Sequence, residues 1–358
     1  MVFKSQAKDS IPLMLTSTAA DYAPLLGAQS GADTGLDAAL AELHRETSAA
    51  TSREQALAAF RRQLARIQQQ VRDEFETYRM AGVEAAHRLS ALTDGVVRAL
   101  FAHALDIAGP DLPDRMAIVA TGGYGRGLLA PFSDIDLLFV APEDADIRTL
   151  GVIEYMLYFM WDLGLKVGHA TRSAAQCITE AERDLTIRTS LLDARPIAGD
   201  EAAAAALLVA LDEAFGPERA ASFITGKQTE RSERHRRFGE SAFLVEPNVK
   251  EGRGGLRDLQ TLYWMVRAAY GRFTPSELAH GRVNLLDQQE LRRLRRSWDF
   301  LWTVRFHMHY VSARVEDRLT FDLQPVVGAR MGYTATAGKM GWSVLCATIS
   351  SPRAMSCA

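Results

Sequence analysis

Residues 118–140 read Ile118-Val119-Ala120-Thr121-Gly122-Gly123-Tyr124-Gly125-Arg126-Gly127-Leu128-Leu129-Ala130-Pro131-Phe132-Ser133-Asp134-Ile135-Asp136-Leu137-Leu138-Phe139-Val140. An apolar run leads into Gly122 and Gly123, and a short stretch later Asp134 and Asp136 open a second apolar run. The pattern predicts a strand, a glycine turn, a short connection and a second strand. Side chains alternate along a strand, so Asp134 and Asp136 face one way and Ile135 the other. Two carboxylates that close repel, and they resist joint ionisation unless a cation lies between them. Oxygen-only donors suit Mg2+ or Mn2+, held by one or two carboxylates together with substrate phosphates. The upstream glycines allow backbone N–H groups to approach an anion closely. Asp134 and Asp136 are therefore the candidate metal ligands and catalytic carboxylates, and Gly122, Gly123 and Ser133 the candidate triphosphate lining. Arg126 is placed to offset charge on a leaving pyrophosphate.

An isolated Asp-x-Asp is usually a solvated strand end; the glycine pair, Ser133 and the flanking apolar runs argue against that here. Gly125 to Ala130 also fits a Gly-x-Gly-x-x-Ala dinucleotide fingerprint, but Pro131 follows where that motif needs a helix to open. Gly338-Lys339 is followed by Met340, so it is not a Walker A motif. A metal-bearing Asp-x-Asp beside a phosphate-cradling glycine turn is the pattern of a nucleotidyl-transfer site.

The segment Gly122–Gly127 through Ser133–Asp136 resembles the DNA polymerase β superfamily of nucleotidyltransferases, and within it the PII uridylyltransferases. A second block, Asn248-Val249-Lys250-Glu251-Gly252-Arg253-Gly254-Gly255-Leu256-Arg257-Asp258 and on to Trp264, is similar to a block of the same branch. It occurs in variant form in the adenylyltransferase acting on glutamine synthetase. The resemblance covers residues 50 to 333 and implies transfer of UMP from UTP to a tyrosine of PII, with Mg2+ or Mn2+. It also implies that a His-Asp phosphohydrolase domain and two small regulatory domains would follow in the full family. No His-Asp dipeptide occurs in this sequence, so nucleotide removal and glutamine control are not expected of it. The superfamily usually adds a third carboxylate near the nucleophile. The strand expected at 166–171 carries none, with His169 where an acid would stand, and Asp193 is the next candidate. Adenylyl transfer, or nucleotide binding without catalysis, are the alternative readings.

With 41 basic and 44 acidic residues the net charge is −3, so nothing pulls the chain globally toward nucleic acid. No apolar run reaches the roughly 18 residues of a membrane span, and no signal peptide is expected. Three cysteines, Cys177, Cys346 and Cys357, argue for a reducing compartment and a cytoplasmic protein.

The fold class expected is α+β: a small polymerase-β-like α/β domain with N-terminal helices, followed by a helical bundle. Residues 1–45 read as a loose leader and 46–200 as the nucleotidyltransferase domain with its preceding helices. Residues 201–335 read as a helical domain completing the cleft, and 336–358 as an atypical, frame-shifted or truncated tail. Thr51 to Glu54 reads as a capping box before an amphipathic helix carrying Leu57, Phe60, Leu64, Ile67, Val71 and Phe75. Ala174 to Leu192 reads as one helix. The basic loop opening a helix at Leu256 makes Lys250, Arg253 and Arg257 candidates for the nucleotide cleft. His307 and His309 read as helix-face histidines rather than metal ligands.

Overall fold

Strand Ala117–Ala120 (β1) pairs antiparallel with Ile135–Val140 (β2), setting Ala120 opposite Leu137. Val167–Arg172 (β3) lies parallel on the far side of β2, and Arg195–Gly199 (β4) antiparallel beside β1, in the order β3-β2-β1-β4. The computed structural model describes residues 34–78, 80–109, 115–238, 245–273 and 275–333. The chain is α+β, as its sequence predicts: a small mixed sheet with helices before and after it.

Alternation decides which layer each strand residue joins. Ile118, Ala120, Leu137 and Phe139 enter one core cluster, and Ala117, Val119, Leu138 and Val140 a second on the opposite face. The first is covered by helices Thr34–Ser48 (α1), Arg53–Tyr78 (α2), Gly82–Ala108 (α3) and, beyond the single turn Gly122–Gly125 (α4), Ile147–Asp162 (α5). Phe60, Ile67, Val71 and Phe75 on α2 are buried at the helical spacing read from sequence. The second face is covered by Ala174–Arg183 (α6), Leu185–Leu192 (α7) and Glu201–Ala214 (α8). Ala220–Arg237 (α9), Leu256–Tyr270 (α10), Gln288–Ser312 (α11) and Leu323–Arg330 (α12) complete the described chain.

Helix α11 is not a separate layer. Trp298, Trp302, Phe306 and Met308 belong to the same core cluster as Phe60, Phe75 and the sheet residues. Phe306 meets Phe75 with ring centroids 5.1 Å apart. Helix α11 also caps α3, whose first turn has no local cap: Gly82 N–H donates to Thr303 Oγ1 at 3.1 Å and Val83 N–H to Asp299 Oδ1 at 3.2 Å.

Three sequence expectations change. Helix α1 begins at Thr34, inside the segment read as loose leader. The cap of α2 is shifted one residue, because the helix begins at Arg53: Ser52 Oγ accepts from Gln55 N–H, and Gln55 Oε1 accepts from Thr51 N–H. The single helix expected over 174–192 breaks at Asp184, whose backbone is extended and whose carboxylate accepts from Thr186 and Ile187 N–H. Helix α12 carries no periodic signal strong enough to read beforehand. Residues 1–33 of the leader and 334–358, with the tail read as atypical, lie outside the described residues.

Candidate active site

The carboxylate pair sits where β2 emerges from its helix cover. Asp134 and Asp136 share the face of Leu138 and Val140, but at the strand start that face opens into a cleft of about 870 Å³. Asp134 is exposed and Asp136 half-buried. Burial, and then the charge of Asp134, push the Asp136 carboxyl above its ordinary range, with Arg126 and Lys250 opposing. A divalent cation between the two would relieve both penalties, so the donor set fits a hard, oxygen-seeking ion.

The Asp136 carboxylate lies between two glycines. Gly122, with φ +57°, would bring a Cβ to 3.0 Å from Asp136 Oδ2, and Gly168 would bring one to 2.6 Å from Oδ1. Gly168 is the register partner of Asp136 on β3; the residue beside the pair is therefore this glycine, and His169 pairs with Leu137 instead. No group of three or more His, Cys, Asp or Glu suited to a metal occurs among the described residues.

Gly122 and Gly123 open the single turn α4, whose first N–H groups have no helical partner of their own. That turn is fixed from below by Arg195, which is fully buried. Its guanidinium pairs with both oxygens of Asp94 on α3, at 2.7 and 3.0 Å, and donates to Tyr124 O and Gly125 O, each at 3.2 Å. Nothing local in the sequence signals this role for Arg195.

Asp193 lines the same cleft but is engaged elsewhere. Its fully buried carboxylate forms an ion pair with Arg126 and accepts from Trp264 Nε1 at 2.9 Å. Around the Trp264 ring stand three cations: Lys227 Nζ at 4.6 Å, Arg126 Cζ at 5.2 Å and Arg257 Cζ at 5.6 Å from its centroid. Burial holds the Lys227 amine below its ordinary range. The 248–258 loop is anchored by Asp258, which accepts from Gly254 N–H at 2.7 Å and pairs with Arg234 and His235 of α9.

Of the residues expected at the site, Gly122, Gly123, Arg126, Ser133, Asp134, Asp136, Asp193, Lys250 and Arg257 line the cleft; Arg253 is exposed and does not. Lys227, Arg172, Arg305 and Trp264 also line it and were not foreseen. Trp264 closed the second motif block, but its spacing alone does not say which face it presents.

Residues 222–349 match the family described as GlnD PII-uridylyltransferase, and residues 110–195 match the nucleotidyltransferase domain. The first match runs past residue 336, where the atypical tail was read to begin. The chain is 48% identical over 323 residues to a bifunctional uridylyltransferase/uridylyl-removing enzyme of Gluconobacter oxydans, covering 87% of this chain and 33% of that protein. It is 49% identical over 261 residues to one of Rhodopseudomonas palustris, covering 72% and 28%. A third, of Phenylobacterium zucineum, is 47% identical over 256 residues, covering 70% and 27%. The chain spans about a third or less of the length of these curated relatives. No helix among the described residues is long and apolar enough to cross a membrane.

Proposed function

The chain belongs to the GlnD PII-uridylyltransferase family, and from that premise we propose that it transfers UMP from UTP to a tyrosine of the PII signalling protein. Pyrophosphate is released, Mg2+ or Mn2+ is the metal, and the cytoplasm is the compartment. The observation that carries this reading is the cleft itself: Asp134 and Asp136 line it together with Gly122, Gly123 and Ser133 and with the cations around Trp264.

Transfer is an in-line displacement: the acceptor oxygen bonds to the α-phosphorus as its hydroxyl proton passes to solvent, and the bond from that phosphorus to the oxygen bridging the β-phosphate breaks, the oxygen leaving with pyrophosphate. Asp134 and Asp136 would hold the metal, which when bound neutralises phosphate charge and polarises the phosphoryl oxygens. Gly122 and Gly123 let the α4 N–H groups come close to phosphate oxygens. Arg126, Lys227 and Arg257, paired at rest with Asp193, Glu230 and Glu251, are the donors that can turn to the departing pyrophosphate. Asp193 acts through Arg126: its buried carboxylate, fixed by Trp264, aims the guanidinium into the cleft. It is a positioning residue in this scheme rather than a third metal ligand.

Incubating the chain with α-phosphate-labelled UTP, Mg2+ and purified PII is expected to label PII, and ATP in its place is expected not to. Labelling from ATP alone would move the chain to the adenylyl branch. Nucleotide binding with labelling from neither would mark a binding protein without transfer activity.

A further inference from the structure

The turn leading into the carboxylate pair is held by a side chain far away in the sequence. Ala130-Pro131-Phe132-Ser133 is a four-residue turn closed by Ser133 N–H donating to Ala130 O at 3.1 Å. Phe132 stands third in it with φ +63°, a left-handed conformation normally left to glycine or asparagine. The two common turns with proline in second place differ by a flip of the central peptide, and positive φ in third place marks the flipped form. Here that peptide joins Pro131 to Phe132, and its oxygen lies 2.7 Å from His309 Nδ1. A carbonyl oxygen only accepts, so Nδ1 carries the hydrogen and donates it.

His309 is fully buried, and its other nitrogen, Nε2, lies 3.2 Å from Asp317 Oδ1. Asp317 is gripped in turn by Arg305 at 2.7 Å and Lys250 at 3.7 Å, both of which line the cleft. Burial alone would push the Asp317 carboxyl up. The His309 hydrogen bond and the charges of Arg305 and Lys250 outweigh it and hold the carboxyl well below the usual range. The ionised Asp317 carboxylate also only accepts, so Nε2 donates to it as Nδ1 does to Pro131 O, and the ring is fixed at both ends.

We propose that His309 is a positioning residue for the metal carboxylates: its Nδ1–H holds the Pro131–Phe132 peptide in the flipped form from which Ser133 and Asp134 enter the cleft. Without that donor the peptide can turn back, Phe132 returns to negative φ, and Asp134 is no longer presented beside Asp136. The inference rests on the reading of Asp134 and Asp136 as metal ligands.

Mn2+ binding in the presence of α,β-methylene-UTP, read from the free-ion EPR signal, tests it. His309→Asn keeps an amide N–H near the place of Nδ1, whereas His309→Leu keeps the volume and removes the donor. Mn2+ affinity is expected to fall about tenfold in His309→Leu and to stay within about threefold of wild type in His309→Asn. A packing role predicts the reverse order, since asparagine leaves a void and an unpaired amide group. Equal affinities in all three folded proteins, or tighter binding by His309→Leu than by His309→Asn, overturn the proposal. If His309→Leu does not fold, His309→Gln replaces it, because its longer amide reaches toward Asp317 rather than Pro131. Binding by His309→Gln as tight as by His309→Asn then overturns it equally. Mn2+ binding that Asp136→Asn leaves unchanged would instead remove the metal-site reading, and this proposal with it.

Discussion

Asp136→Asn should abolish transfer and stabilise the metal-free protein at the same time. The amide fits the same space between Gly122 and Gly168 but carries no charge for a cation. Residues two apart on a strand are separated by ~7 Å, where two unit charges repel by ~0.6 kcal/mol in water and ~2.4 kcal/mol at an effective dielectric of ~20. Asp134 is exposed, so solvent screening keeps the relief near ~1 kcal/mol. Removing the charge of the half-buried Asp136 acts in the same direction. For a chain of this size that is a rise of about 1–2 °C in Tm. The folded-state pKa of Asp136 is raised, so its stability contribution is present below the ordinary carboxylate pKa and lost as pH rises through the raised value. The Tm gain should therefore be full at neutral pH and close as pH falls below about 4. Differential scanning fluorimetry in EDTA, run beside the labelled-UTP assay, measures both halves, and activity should fall by more than ~100-fold. A lower Tm in EDTA, or a tenth or more of wild-type turnover, would refute the assignment of Asp136 as a charged, cation-dependent ligand.

Gly168→Ala brings a methyl to 2.6 Å from Asp136 Oδ1, an atom free to move aside, so turnover should drop ~10-fold or more while Tm changes little; unchanged turnover would refute the contact. Gly123→Ala meets nothing closer than Leu128 O at 3.6 Å. Its fold should hold within about 2 °C while KM for UTP rises ~10-fold, and matching losses of stability and activity would mark a purely conformational glycine. Asp94→Asn leaves Arg195 buried with an uncompensated charge and should cost about 3–5 kcal/mol in urea unfolding. A cost below ~1 kcal/mol would show that the pair does not hold the glycine turn.

What could be read beforehand was local. The glycine turn, the carboxylate pair and the strand carrying it lie within one short segment, where alternation alone assigns faces. The helices with apolar residues at three- and four-residue steps were legible for the same reason. The wall opposite the carboxylates was not, because Lys227, Trp264 and Arg305 come from three helices whose mutual placement no local rule specifies. Lys227 is polar in a polar helix, and only the fold reveals that it is buried. Lys250 and Arg257 are legible from a glycine-rich loop, yet the same reasoning draws in Arg253, which is exposed and does not line the cleft. Glycine spacing announces a tight loop without saying which of its side chains turn inward. Asp193 is legible as a candidate third carboxylate, but its engagement by Arg126 and Trp264 depends on packing of α10 against α7.

The shared core has a consequence for how such a chain can be cut and recombined. Helix α11 supplies Trp302, Phe306 and Met308 to the layer beneath the sheet, and Thr303 and Asp299 to the start of α3. A fragment ending near residue 200 would carry the glycine turn and both carboxylates, yet bare the apolar undersides of α2 and α3 to water. The strands that carry the carboxylate pair are therefore not a portable cassette. A chimaera that exchanges them between relatives has to bring the matching α11 along, and its junctions belong in surface loops rather than at the end of the sheet.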